Sequence, residues 1–224
     1  MATRELCATG EWYHCYNRGV DKRVVFIEPD DYQRFVALLY VSNGTKAVRI
    51  SDAFYPNLSS LIKDNDDRGE PLVEIGAYAL MSNHPHLVLK QMVDNGIARF
   101  MQKVFTGYTM YFNIKNERTG ALFAGTYKYR HVSDDDYLKQ LIPYVLLNPI
   151  ELFEKRWKEG IADLNRVEEA LRSYRYSSLP DFLGEVRPEN KIVIELGEYY
   201  DKKPSLSEML SDAIAYYQEH APEV

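Results

Sequence analysis

The segment spanning residues 79–90 restricts the fold of this chain more than any other. Two apolar runs meet at Ser82-Asn83, a polar pair of the kind that closes a tight hairpin, so the runs on either side must be antiparallel neighbours in one sheet. The second run ends in Leu87, Val88 and Leu89, which suits a half-buried strand. Side chains alternate along a strand, so His84 and His86 leave one face while Pro85 and Leu87 leave the other. Two imidazoles one residue apart on one face can converge on a metal ion. The alternative is a pair of surface histidines at a strand start, because His-x-His is a weak signal alone. Scarcity favours the site: the chain has five histidines (His14, His84, His86, His131, His220), and two of them fall here.

The elements around this hairpin follow from periodicity and punctuation. Residues 11–17 are aromatic-rich and read as a strand. After a break at Arg18-Gly19, Asp30 with Gln33 forms a capping-box pattern that opens a helix through Phe35, Leu38 and Leu39, stopping before Asn43-Gly44. Residues 45–71 read as a loop with one helical turn near Leu58 to Lys63. Ile97, Phe100, Met101, Val104, Phe105 and Tyr108 recur at helical spacing, and the turn-like residues 116–120 end that helix. Residues 121–132 run from loop into strand, with Lys128 and Arg130 on one face and Tyr127 and Tyr129 on the other. A second capping-box pattern at Ser133 to Asp136 opens a helix that continues to Asn148, where Pro149 should end or kink it. Gln140, Tyr144 and Asn148 line one side of it.

Strand, helix, hairpin, helix, strand, helix is an α+β plan: a ferredoxin-like antiparallel sheet with helices packed on one face. If the last helix crosses the sheet near the hairpin, Tyr144 and Asn148 can face His84 and His86. Beyond Glu151 come charged helical pieces at residues 167–171 and 205–218. We therefore divide the 224 residues into a core, 1–155, and a helical C-terminal extension, 156–224, packed on it.

The formal net charge of −6 argues against nucleic-acid binding, but the charge is segregated. Between Gly96 and His131 the bases Arg99, Lys103, Lys115, Arg118, Lys128 and Arg130 face the single acid Glu117. Arg18, Lys22 and Arg23 form a second basic cluster, either a solvated loop or a phosphate contact. The 18 tyrosines offer stacking surfaces for unpaired bases, although many must be core. Two cysteines in no metal or disulfide pattern, no leader-like N-terminus and no membrane-length apolar run predict a soluble cytoplasmic protein.

Two imidazoles and an amide oxygen with open positions suit Mn²⁺ or Mg²⁺ bridging a phosphate. A tyrosine one helical turn from a ligand is placed to attack the phosphorus; its hydroxyl titrates near ~10 in isolation, and a nearby cation helps it ionise. Tyr108 and Tyr111 are rival nucleophiles, but Tyr108 fits an apolar stripe and Tyr111 has no ligand-type residue one turn on. His14 reads as a structural strand residue, and His131 lies where it can touch DNA beside Lys128 and Arg130.

Four segments, residues 13–19, 81–87, 120–130 and 144–149, together resemble the single-tyrosine HUH transposases, and most closely the REP-associated tyrosine transposases. They follow one another in family order over roughly two-thirds of the chain. The resemblance implies that His84, His86 and Asn148 bind Mg²⁺ or Mn²⁺ and that Tyr144 is the nucleophile. It further implies cleavage and rejoining of hairpin-flanked single-stranded DNA through a 5′-phosphotyrosine, with Arg18, Lys22, Arg23, Lys103, Lys128 and Arg130 as candidate DNA contacts. Smaller relatives share helices between two subunits, whereas the REP-associated branch is expected to act in cis, as a monomer. One position departs from the pattern: Pro85 stands where a bulky hydrophobe is usual. A DNA-binding protein without turnover and a metallohydrolase without covalent chemistry are the competing readings.

Overall fold

The computed structural model describes residues 6–46, 58–64 and 67–219. Residues 47–57 and 65–66 of the expected loop, and His220, lie outside the described residues. Four strands, β1 (Trp12–Tyr16), β2 (Val73–Met81), β3 (His84–Gln91) and β4 (Lys128–His131), pair antiparallel in the order β2-β3-β1-β4. Helices α1 (Pro29–Val41) and the short α2 (Leu58–Asp64) connect β1 to β2, and α3 (Gly96–Lys115) connects β3 to β4. This βαββαβ connectivity is the ferredoxin-like arrangement, and the class is α+β.

Ser82-Asn83 makes the hairpin turn between β2 and β3. The turn is clamped from outside. Val25 and Phe26 donate their N–H groups to the Ser82 carbonyl at 2.8 and 3.1 Å, and Gly19 donates to the Asn83 carbonyl at 2.9 Å. A Cβ at Gly19 would lie 2.4 Å from the Arg23 carbonyl oxygen, so only glycine lets this loop close on the turn. Pro85 sits one residue before the first β1 pairing, Tyr16 with His86, where the ladder on that side has not begun.

The helices cover both faces of the sheet. On one, Tyr13, Cys15, Ile75, Leu87 and Leu89 pack with Phe35 and Leu39 of α1 and with Phe100, Val104 and Tyr108 of α3. On the other, Trp12, Ala77, Ala79 and Val88 lie under Leu138, Ile142, Val145 and Leu146 of α4 (Asp135–Leu147). The expectation of a single helical face therefore holds for α1 and α3 and fails for α4. The reason is visible in β3, where Pro85 to Leu89 are buried in an unbroken run, as in a strand covered on both sides. A bulge between Ile75 and Ala77 turns two residues of equal parity to opposite faces.

The caps differ from those the sequence suggests. Helix α1 is capped by Glu28 paired with Asp31, not by Asp30 with Gln33, because Pro29 supplies the first helical position. Helix α4 is capped by Asp134, whose carboxylate accepts the Tyr137 N–H at 2.8 Å, in place of Ser133. Within α4, Pro143 lacks the N–H that would serve the Lys139 carbonyl, and the Tyr200 hydroxyl donates there instead at 3.3 Å. Pro149 ends α4, but Asn148 keeps helical angles and the chain restarts as α5 (Ile150–Phe153).

The chain after α5 adds α6 (Leu164–Ser173), α7 (Leu179–Phe182) and α8 (Leu206–Glu219), which contribute Leu171, Leu179, Leu206 and Leu210 to the core under α4. Between α6 and α7 the backbone lies along the outer edge of β2. Leu80 donates to the Tyr176 carbonyl at 3.0 Å and Ser178 to the Tyr78 carbonyl at 2.9 Å. A buried Arg187–Asp181 ion pair anchors this segment, with Arg187 also donating to the Ser177 carbonyl at 2.6 Å. Among the described residues no helix is long and apolar enough to cross a membrane.

Candidate functional site

Strand register assembles the site. Tyr16 stands opposite His86 on one side and Lys128 on the other, and His14 stands opposite Val88 and Arg130. Cross-strand partners share a face, so His14, Tyr16, His84, His86, Lys128 and Arg130 occupy the face that α4 crosses. Helix α4 lays the Tyr144 ring 6.0 Å from that of His14 and 6.1 Å from that of His86, and the His84 and His86 rings are 4.6 Å apart. Tyr144 is 45% exposed, while His86 and Asn148 are 6% and 9% exposed. The phenol is thus reachable from solvent above a buried floor.

Hydrogen bonds fix the rings. Asn83 donates Nδ2 to the Lys22 carbonyl at 3.3 Å, which orients its amide and turns Oδ1 to His84 Nδ1, 2.5 Å away. A carboxamide oxygen only accepts, so the proton sits on His84 Nδ1 and its Nε2 keeps a bare lone pair. His86 Nδ1 lies 2.9 Å from His14 Nε2, with the two rings stacked at 18°, so one of these nitrogens carries a shared proton. The backbone N–H of Asn148 takes the Val145 carbonyl, tightening the last turn of α4, while the Asn148 side-chain amide donates to the Tyr144 carbonyl at 2.8 Å.

All three imidazoles are held neutral near pH 7. Burial pushes His14 down to about 4, with the Arg130 guanidinium and His84 adding to the effect. Burial likewise takes His84 to about 4, helped by Arg18 and opposed by Glu151. His86 is lowered well below its ordinary value by burial, then by His84, His14 and Arg18. Neutral imidazoles offer lone pairs to a cation. Partial burial raises the Tyr144 phenol, with Tyr217 adding to the rise and the Asn148 amide and Lys158 ammonium opposing it. Lys158 is held by Glu151 at 2.9 Å and lies 5.0 Å from the Tyr217 ring.

Of the basic residues singled out from sequence, Lys128 and Arg130 share the histidine face, and Arg18 is near enough to depress both His84 and His86. Lys22 and Arg23 sit on the loop that clamps the hairpin, where Arg23 Nε donates to the Val20 carbonyl. Lys103 stands apart: it belongs to α3, across the sheet, and its ammonium is tied to the Gly44 and Lys46 carbonyls at 2.5 and 3.2 Å. His131 pairs with Glu11 at 2.9 Å. The rival tyrosines also lie on the α1–α3 side, Tyr108 donating to the Val25 carbonyl and Tyr111 to Asp31. Sequence reasoning missed His14 at the site, and also Glu151, Lys158 and Tyr217. The parity of β1 groups Trp12, His14 and Tyr16 on one face, and that signal could have brought His14 in.

Among the described residues no group of three or more His, Cys, Asp or Glu side chains is placed to hold a metal ion. A cation here would rely on the carboxamide of Asn148 beside the two imidazoles. That donor set fits a divalent ion: His84 Nε2 is bare, the rings are neutral, and the Asn148 amide nitrogen is already engaged, leaving its oxygen.

Comparison with protein-family models finds no match, and comparison with curated proteins finds no significant relative. Among solved structures, the chain is similar to that of a REP-associated tyrosine transposase bound to a REP hairpin. The TM-score is 0.49 at 9% identity, covering 93% of this chain and 96% of that one.

Proposed function

We propose that this protein cleaves and rejoins single-stranded DNA next to a hairpin, with Tyr144 as the nucleophile and Mg²⁺ or Mn²⁺ held by His84, His86 and Asn148. The observation that carries this reading is the approach of Tyr144, from α4, to the histidine pair of the β2–β3 hairpin, on a face bearing Arg18, Lys128 and Arg130. When bound, the ion would polarise the scissile phosphoryl oxygen and stabilise charge in the transition state.

The side chains of this chain do the rest. Arg18, Lys128 and Arg130 hold backbone phosphates, and Lys22 and Arg23 extend that contact along the hairpin loop. Tyr16, half-buried between His14 and Lys128, offers a ring to an unpaired base. Tyr144 Oη attacks the phosphorus as the bond to the 3′ oxygen breaks. The phenol proton passes to water, the departing 3′ oxygen takes one from water, and the 5′ phosphate stays on Tyr144. Attack by a 3′ hydroxyl on that phosphotyrosine reverses the step and rejoins the strand. Lys158 favours the phenolate form of Tyr144.

The test is incubation with labelled single-stranded hairpin DNA and Mn²⁺, followed by a denaturing gel. An adduct present in the parent protein and lost in Tyr144→Phe is the expected result. DNA binding without any adduct would leave a DNA-binding protein on this scaffold, and hydrolysis surviving Tyr144→Phe would point to metal-dependent hydrolysis without covalent chemistry.

A further inference from the structure

His84 and His86 are oriented by different means. For His84 the partner is local: Asn83, one residue back, pinned in turn by the Lys22 carbonyl. For His86 the partner comes from another strand. His14 lies 72 residues away in sequence, in β1, and presents Nε2 to His86 Nδ1 at 2.9 Å. Both rings are buried, at 8% and 6% exposure, and they stack at 18° with centroids 5.1 Å apart. A neutral imidazole carries one proton on two nitrogens, so this contact decides which His86 nitrogen is left bare.

We propose that His14 is a positioning residue: its Nε2 accepts the Nδ1–H of His86 and thereby holds His86 in the tautomer whose Nε2 is free to bind a cation. The opposite polarity, with His14 donating, would put the His86 proton on Nε2 and close that atom to any ligand. The contact thus does for His86 what Asn83 does for His84, and the two bare Nε2 atoms come from one hairpin through two separate supports. Partners of this kind, bonded to the far nitrogen of a ligating histidine, fix ring orientation and raise ligand basicity.

The inference rests on the metal reading above, and its test separates the two. In the metal-free protein labelled with ¹⁵N-histidine, long-range proton–nitrogen spectra near neutral pH report each ring's tautomer. The expected result is a proton on His86 Nδ1 and on His14 Nδ1. A proton on His86 Nε2 overturns the proposal, and this measurement needs neither a variant nor a metal. Mn²⁺ titration then compares the parent with His14→Phe, which keeps a stacked ring but no acceptor, and with His14→Gln, which keeps an acceptor. Affinity should fall roughly ten- to a hundred-fold in His14→Phe, with partial recovery in His14→Gln. Unchanged Mn²⁺ affinity in a folded His14→Phe, or Mn²⁺-induced shifts showing His14 Nε2 itself bound to the ion, also overturns it. Failure of the parent to bind Mn²⁺ removes the metal reading while the tautomer measurement still decides the His14–His86 relationship.

Discussion

The side-chain amide of Asn148 donates to the main-chain carbonyl of Tyr144 at 2.8 Å, so the residue that closes α4 also fastens the backbone of the candidate nucleophile. Its replacement separates two roles. Asn148→Ala leaves that carbonyl without its donor and should cost about 1 kcal/mol, or roughly 2–4 °C in Tm. Asn148→Asp sets acceptor against acceptor at a helix C-terminus and should be the less stable of the two. For Mn²⁺ binding the order reverses, because aspartate keeps the oxygen ligand and alanine does not. Thermal melts and Mn²⁺ titrations giving the same ranking would contradict the double role.

Buried Asp31 tests the independence of the two faces. Its carboxylate accepts the Ile27 and Glu28 N–H groups at 2.8 and 3.0 Å, the Tyr111 hydroxyl at 3.0 Å and the Lys115 ammonium at 2.7 Å. Asp31→Asn leaves Lys115 with only the more exposed Glu28 carboxylate, 3.1 Å away, and should destabilise the fold by about 1.5–3 kcal/mol, read as a lower urea midpoint. Mn²⁺ affinity of the folded fraction should be unchanged, since this network lies across the sheet from His84 and His86.

Acid should weaken the metal-free protein through its buried histidines. His14 and His84 are pushed down to about 4, against about 6.5 in an unfolded chain. The unfolded chain therefore takes up protons first as pH falls, and the stability present above pH ~6.5 drains away between there and about pH 4. Each ring contributes up to about 1.4 kcal/mol per pH unit in that window. Urea unfolding of His84→Gln across the same range should show a correspondingly shallower slope, and an unaltered slope would remove His84 from the account.

Salt dependence sorts the cations. On single strands, every phosphate that a side chain neutralises adds about 0.7 to the slope of log affinity against log salt. Arg18→Ala, Lys128→Ala and Arg130→Ala should each make that slope shallower by this amount with the hairpin substrate. Lys103→Ala should leave the slope alone and lower the melting temperature instead, because its ammonium ties the Gly44 and Lys46 carbonyls.

Much of the scaffold was legible in sequence because it is written in local patterns. The Ser82-Asn83 turn, the shared face of His84 and His86, and the i, i+4 relation of Tyr144 to Asn148 need only the strand and helix periods. His14 was legible only as far as its face, shared with Trp12 and Tyr16; its contact with His86 depends on the register that sets Tyr16 opposite His86, and no local pattern reports a pairing so distant in the chain. The caps were misplaced by one or two residues where several acids compete and a proline settles the start. The placement of α4 was obscured by reading β3 as half-buried, when its unbroken buried run signals cover on both sides. Residues 176–178 along β2 are joined to it largely through main-chain groups, which leave little trace in residue type.

That last segment bears on how copies of the molecule can meet. With one border of the ribbon lined by the chain's own later residues, the other border among the described strands is β4. There Lys128 and Arg130 lie two apart on a four-residue strand, so two copies joining border to border would bring like charges together. The molecule discourages such stacking twice, once by occupancy and once by repulsion, and the repelling border carries two of the cations that the proposed function assigns to backbone phosphates.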